Sequence, residues 1–189
     1  MSDWTLTASP PLAGFDRQDD GVSLSEVTDH VLVSIAVPLG GATALHNIML
    51  SKFGAGLPEC GCSTVATDGE FRFLGMQQDQ AFALLQFRDG HAAREISEKL
   101  AETAYCTDQS DSWAMLQISG PRARMALERI CPLDLHQDVF ALGAVARTTM
   151  EHLAVIILRT QQDGFLLMSP RSSAKSFLHA LETSMQYVL

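Results

Sequence analysis

The feature that most constrains the fold is a repeated order of hydrophobic patterns: strand, helix, strand, strand, helix. In the first half a nearly continuous apolar strand at residues 31–37 passes through Pro38-Leu39-Gly40-Gly41 into a helix with Ala42, Leu45, Ile48 and Met49 on one face. Two strands at 71–74 and 81–87, joined by a polar connection, are followed by a helix at 91–100 with Ala92, Ala93, Ile96 and Leu100 inward. A short strand at 103–107 closes this half. The second half opens with a strand at 113–118, with Ala114, Leu116 and Ile118 on one face. It turns at Ser119-Gly120 into a helix at 122–130 that has Pro121 as its first position. Strands at 144–150, 153–158 and 165–168 precede a last helix starting near Ser172. There Ala174, Phe177, Leu178, Leu181, Met185 and Val188 recur at spacings of three and four.

A strand, helix, strand, strand, helix order that occurs twice predicts two tandem ferredoxin-like split β-α-β units. The expected class is α+β, with antiparallel sheets carrying helices on one face. The expected organisation is an extended N-terminal arm at 1–28, a first α+β subdomain at 29–109 and a second at 110–189. The arm is rich in Pro, Gly, Asp and Ser and shows no sustained period. Trp4, Leu6 and Phe15 are large apolar groups that want a cover, which makes residues 4–15 a candidate contact region. The loop at 54–69, dense in Gly, Pro and small residues, is a second candidate through its segment 57–65.

At 189 residues and 47% hydrophobic the chain can bury at least one full core. No apolar run approaches the ~20 residues needed to cross a bilayer, and Met1-Ser2-Asp3-Trp4 does not begin a signal sequence, so the expected location is cytoplasmic with no membrane partner. The formal net charge of -9, with basic residues scattered, disfavours nucleic acid as a partner.

The sequence offers titratable residues without a local signature of catalysis. Cys60-Gly61-Cys62 lacks a second ligand pair near in sequence of the kind a zinc site uses, with His46 or Cys106 as the residues that could approach it, and the spacing of the four cysteines Cys60, Cys62, Cys106 and Cys131 is irregular. The histidines His30, His46, His91, His136, His152 and His179 form no His-x-x-x-His pair. Ser63, Ser119 and Ser169 lie near turns without a Gly-x-Ser-x-Gly elbow. Asp16, Asp19 and Asp20 read as a solvated run, and Asp108 and Asp111 as supports for the turn between the halves. The Gly40-Gly41 turn lacks the Lys-Ser/Thr of a phosphate loop. The expectation is therefore no catalytic, cofactor-binding or metal-binding residue on this chain.

Several short signals occur in a fixed order. They are Asp111-Ser112-Trp113, Gly120-Pro121-Arg122-Ala123, Cys131-Pro132-Leu133-Asp134-Leu135, Leu142-Gly143-Ala144-Val145-Ala146-Arg147 and Arg171-Ser172-Ser173-Ala174-Lys175-Ser176-Phe177. Together they resemble the gamma subunits of heterotetrameric sarcosine oxidases, and Leu45-His46, Phe53-Gly54 and Pro58 match more loosely. The resemblance implies the folate-binding aminomethyltransferase fold of the glycine cleavage system. It also implies a non-catalytic chain that packs on an alpha subunit, in a complex with beta and delta subunits that demethylates sarcosine to glycine. FAD, FMN, NAD and tetrahydrofolate are implied for the partner subunits and none for this chain. Two alternatives stand beside it: the gamma chain of a related N-methyl amino acid dehydrogenase, and a stand-alone folate-binding aminomethyltransferase-like protein. In the last case Arg122, Arg124, Arg147, Arg159 and Arg171 are the cations that would converge on an anionic ligand.

Overall fold

A computed structural model describes residues 9–86 and 91–189. Trp4, Leu6 and Phe87, which the sequence reading placed in the arm and in a strand, lie outside the described residues.

Eleven strands and four helices are found among the described residues. The strands are β1 (Asp16–Asp19), β2 (Val22–Glu26), β3 (His30–Ala36), β4 (Ser63–Val65), β5 (Phe71–Gln77), β6 (Gln80–Gln86), β7 (Tyr105–Asp108), β8 (Trp113–Ser119), β9 (Val145–Met150), β10 (Leu153–Gln161) and β11 (Gly164–Pro170). The helices are α1 (Ala42–Phe53), α2 (Ala92–Lys99), α3 (Ala123–Glu128) and α4 (Ala174–Gln186). They form a six-stranded sheet ordered β1-β2-β8-β11-β10-β9 and a five-stranded sheet ordered β4-β5-β6-β3-β7. Every ladder is antiparallel.

The near-continuous apolar strands follow from burial on both faces. In β3, Val31, Val33 and Ile35 face α1 and α2 and pack with Leu45, Met49, Phe53 and Ile96, while Leu32 faces the other way. In β10 and β11, Val155, Ile157, Phe165 and Leu167 pack beneath α3 and α4 with Phe177 and Leu181. Ile156, Leu158, Leu166 and Met168 instead meet Leu32, Leu74, Phe82 and Leu84 of the other sheet. The alternation is the period-two geometry of a strand, here feeding two cores. The result is four layers, helix, sheet, sheet, helix, with the helices on the outer face of each sheet.

The repeat is visible in the strand order. The five-stranded sheet runs β5-β6-β3-β7, and the other runs β10-β11-β8-β2 in the same sense. The fourth strand of the first unit follows its second helix. In the second unit that place is filled by β2, from the opposite end of the chain. Residues 16–26, expected in an extended arm, thus form a hairpin whose second strand pairs with β8 from Ser23 opposite Ser119 to Glu26 opposite Leu116. Val22 and Leu24 are buried in the core under α3 and α4. Burial of those two side chains alone contributes roughly 3–6 kcal/mol, at about 1.5–3 each, against the roughly 5–15 kcal/mol that holds a whole domain. Deletion of residues 1–26 is therefore expected to abolish cooperative unfolding of the second unit. A sharp wild-type melt of the truncated chain by circular dichroism would contradict it.

Two boundaries also shift. α3 begins at Ala123, two residues beyond Pro121, because the Arg122 N–H donates to Gly21 O (2.9 Å) and the Ala123 N–H to Gly120 O (2.9 Å), making a turn first. Within the loop at 54–69, residues 63–65 form the edge strand β4. This loop is also bound to the second unit: Val145 N–H donates to Gly61 O (2.9 Å), and Ser63 Oγ donates to Gly143 O (2.7 Å). No helix among the described residues is long and apolar enough to cross a membrane.

Candidate functional site

The two sheets are joined along their β4 and β9 side by the bonds just described. Towards the β7 and β2 side a cleft of about 570 Å³ opens between them. The connection β2–β3 supplies Val27 and Thr28, β3 supplies His30 and Val31, and β8 supplies Trp113 and Met115. Glu26, Asp108 and Asp111 bring carboxylates to it, and Arg171 one guanidinium. Arg171 is held by Ser9 O (2.7 Å) and lies 3.5 Å from the Asp111 carboxylate. Glu26 accepts from the N–H groups of Leu12 (2.9 Å) and Gly14 (2.7 Å), which folds the chain before β1 against the sheet. Asp108 Oδ1 accepts from the N–H (2.9 Å) and the hydroxyl (2.7 Å) of Ser110, stabilising the turn between the units.

The five arginines named as a candidate anion grip do not converge. Arg159 is 4% exposed, with its guanidinium donating to the carbonyls of Phe140 (2.8 Å), Gln161 (3.3 Å) and Gln162. It also lies over the Phe165 ring. Arg122 donates to Asp20 O, Arg124 pairs with Glu128 along α3, and Arg147 is exposed on edge strand β9. Only Arg171 reaches the cleft, where carboxylates outnumber it. A basic residue the sequence reading did not single out, Arg72 on β5, donates to Ser63 Oγ (3.1 Å), and desolvation lowers its pKa.

The remaining candidates are dispersed. His30 pairs with Asp29 (2.8 Å), His136 with Asp138 (3.4 Å), and His91 stands at the N-terminus of α2. His46, His152 and His179 are exposed. Asp19 pairs with Arg17 (2.7 Å), which also reaches Glu182 on α4. Ser119 shares a hydrogen bond with Ser23 across the β2–β8 ladder (2.8 Å). Ser169 is fully buried, and its hydroxyl has no partner among the described residues. No group of three or more metal-ligating side chains occurs among the described residues.

The cysteines divide by environment. Cys60 and Cys62 are exposed, Cys106 is half-buried and Cys131 buried, and burial pushes the thiols of the last two up. The charged form of a thiol is the thiolate, so a raised folded pKa adds stability that is complete below the ordinary thiol range. That stability is lost as pH rises through the folded value. With an aromatic disulfide reagent at neutral pH, Cys60 and Cys62 are expected to react first and Cys131 at least about tenfold more slowly. Four equal rates in the native protein would contradict this placement.

The chain is 28% identical over 149 residues to the sarcosine oxidase subunit gamma of Arthrobacter sp, covering 78% of this chain and 71% of that one. It is 26% identical over 166 residues to the subunit of the same name from Corynebacterium sp. (strain P-1), covering 87% and 80%. Among solved structures, it is similar to a chain of the heterotetrameric sarcosine oxidase from Corynebacterium sp. U-96 in complex with pyrrole 2-carboxylate. The TM-score is 0.75 at 24% identity, over 88% of this chain and 85% of that one. It also shares its fold with the glycine cleavage system aminomethyltransferase T of Bartonella henselae, with a TM-score of 0.62 at 14% identity over 85% of this chain and 45% of that larger one. The family description "GCVT N-terminal domain" matches residues 74–186, from within β5 of the five-stranded sheet to the end of α4 and more than half of the sequence, and the chain belongs to that family.

Proposed function

We propose that this chain is the gamma subunit of a heterotetrameric sarcosine oxidase, a cytoplasmic complex that oxidatively demethylates sarcosine to glycine. The observation that carries the reading is the extent of the likeness: relatives of that name align over most of both chains, and the two-unit fold is shared with a chain of such a complex. In this reading the chain is structural. FAD, FMN, NAD and tetrahydrofolate are bound by the partner subunits, and this chain packs on the alpha subunit, with beta and delta in the same assembly. The side chains that chemistry would need support it, since Arg159, Asp108 and Ser63 each hold backbone or neighbouring side chains of this chain.

Reconstitution by omission tests the proposal. The other three subunits are expressed with and without this chain, and sarcosine-dependent hydrogen peroxide formation is measured. Loss of assembled, active complex on omission is the expected result. Full activity without this chain, or tight retention of tetrahydrofolate by this chain alone, would overturn it.

A further inference from the structure

The open side of the sandwich combines three features that packing among the described residues leaves unused. The first is the edge of β7. Gln109 N–H donates to Leu32 O, and Val37 N–H donates to Asp79 O, so the even-numbered residues of β3 bond towards β7 and the odd-numbered ones towards β6. In an antiparallel ladder this alternation turns the backbone N–H and C=O of Cys106 and Asp108 outward, away from β3. The segment Tyr105-Cys106-Thr107-Asp108 carries no Lys or Pro, and Tyr105 is 71% exposed. By contrast, edge strand β1 carries the Arg17–Asp19 pair, and charges on an edge discourage pairing with another strand.

The second feature is charge. Asp108 belongs both to β7 and to the cleft, where Glu26 and Asp108 accept hydrogen bonds from neutral donors but pair with no cation among the described residues. Arg171 is engaged by Asp111. The third is Trp113. Its ring meets Phe82 edge-on in the core between the sheets, and its indole N–H is buried without an acceptor among the described residues. A buried donor without a partner is costly, and Trp113 is also one of the residues that line the cleft.

We infer that the outer edge of β7 and the acidic cleft beside it dock an extended, Lys- or Arg-bearing segment of a partner subunit. This rests on the subunit reading and names the surface it uses. The segment adds a strand through the backbone groups of Cys106 and Asp108, packs an apolar residue on Tyr105, and places its cation between Asp108 and Glu26.

The test uses the full chain and its assembled complex. Asp108→Lys reverses the charge. Asp108→Asn removes it while keeping the oxygen that accepts from Ser110, and Glu98→Lys, on the exposed face of α2, is the control. The expected result is at least a tenfold weaker association for Asp108→Lys, a smaller loss for Asp108→Asn at an unchanged melting temperature, and none for Glu98→Lys. Hydrogen exchange at the Cys106 and Asp108 amides should slow at least tenfold on assembly. Wild-type affinity of Asp108→Lys with unchanged exchange at both amides would overturn the inference and leave the subunit reading standing. So would protection of those amides in the isolated chain, whether by residues 1–8 or by a second copy. A wild-type chain that joins no complex overturns the subunit reading itself, and the docking site with it.

Discussion

Replacing Gly75 by alanine is expected to lower stability by about 2–4 kcal/mol, which for a chain of this size lowers the melting temperature by roughly 5–15 °C. The loop at 59–62 crosses directly over β5 at this position: Gly61 N–H donates to Gly75 O (2.9 Å), and Gly75 N–H donates to Cys62 O (2.9 Å). A Cβ on Gly75 would overlap the carbonyl carbon and oxygen of Glu59 and come within 3.1 Å of Pro58 O. These are backbone atoms, so no side-chain rotation relieves the overlap and the loop itself has to move. With it would go the Val145–Gly61 and Ser63–Gly143 bonds that tie the two units together. The effect therefore extends beyond one strand, and Gly75→Val, with a branched side chain, is expected to prevent folding. A Gly75→Ala variant that melts within a degree or two of wild type would contradict the described crossing.

Arg159→Met is expected to cost about 2–5 kcal/mol, read from the denaturant midpoint, because it deletes the donors and leaves their acceptors in place. Methionine keeps the aliphatic stem and removes the guanidinium, so the loss includes its contact over the Phe165 ring. The Phe140 carbonyl is buried and would lose its side-chain donor, and those of Gln161 and Gln162 would lose theirs. The same segment is held from the backbone by Gly143 N–H to Arg159 O and Arg159 N–H to Ala144 O. Hydrogen exchange should therefore rise first in residues 136–144, with the exposed Val139 and Leu142 that this segment presents. Arg159→Lys should recover only part of the loss, since a single ammonium cannot reproduce a planar fork reaching three carbonyls. A variant as stable as wild type would show that the carbonyls find other donors.

The parts of the fold legible in the sequence are those whose burial is strongly periodic. The β3 run Val31 to Ile35, the β10–β11 pair and the α4 series Phe177, Leu181 and Met185 bury enough apolar surface for their pattern to outweigh local noise. The β1–β2 hairpin was illegible because Asp16-Arg17-Gln18-Asp19 is polar, and only Val22 and Leu24 mark the buried face of its second strand. Its place in the sheet is set by a gap beside β8, a tertiary fact with no local signal. β4 is three residues inside a glycine-rich loop and exists through pairing with β5. Pro121 is compatible with a helix start, but the carbonyls of Gly21 and Gly120 delay it to Ala123.

For the candidate site, residue type was legible and placement was not. Arginine as an anion ligand is sound chemistry, yet Arg159 lies on a strand face where its head is satisfied by the nearby carbonyl of Gln161 and by that of Phe140, brought in from the segment before β9. From the sequence, Asp108 and Asp111 are supports for the turn between the units. Asp108 does bind Ser110 there, but its position on an open edge beside Trp113 depends on how two sheets meet. No spacing within either unit encodes that meeting. The packing of Leu32, Leu74 and Phe82 against Ile156 and Met168 decides it.

Purification of the tagged chain from its native cells, with the masses of co-purifying chains and the visible absorbance of the sample, decides whether it is a subunit of such a complex. Recovery in a stable assembly with three other chains, flavin absorbance, and peroxide formation on addition of sarcosine is the expected result. Recovery of this chain alone and colourless, from cells in which the sarcosine-oxidising complex is intact, would contradict it.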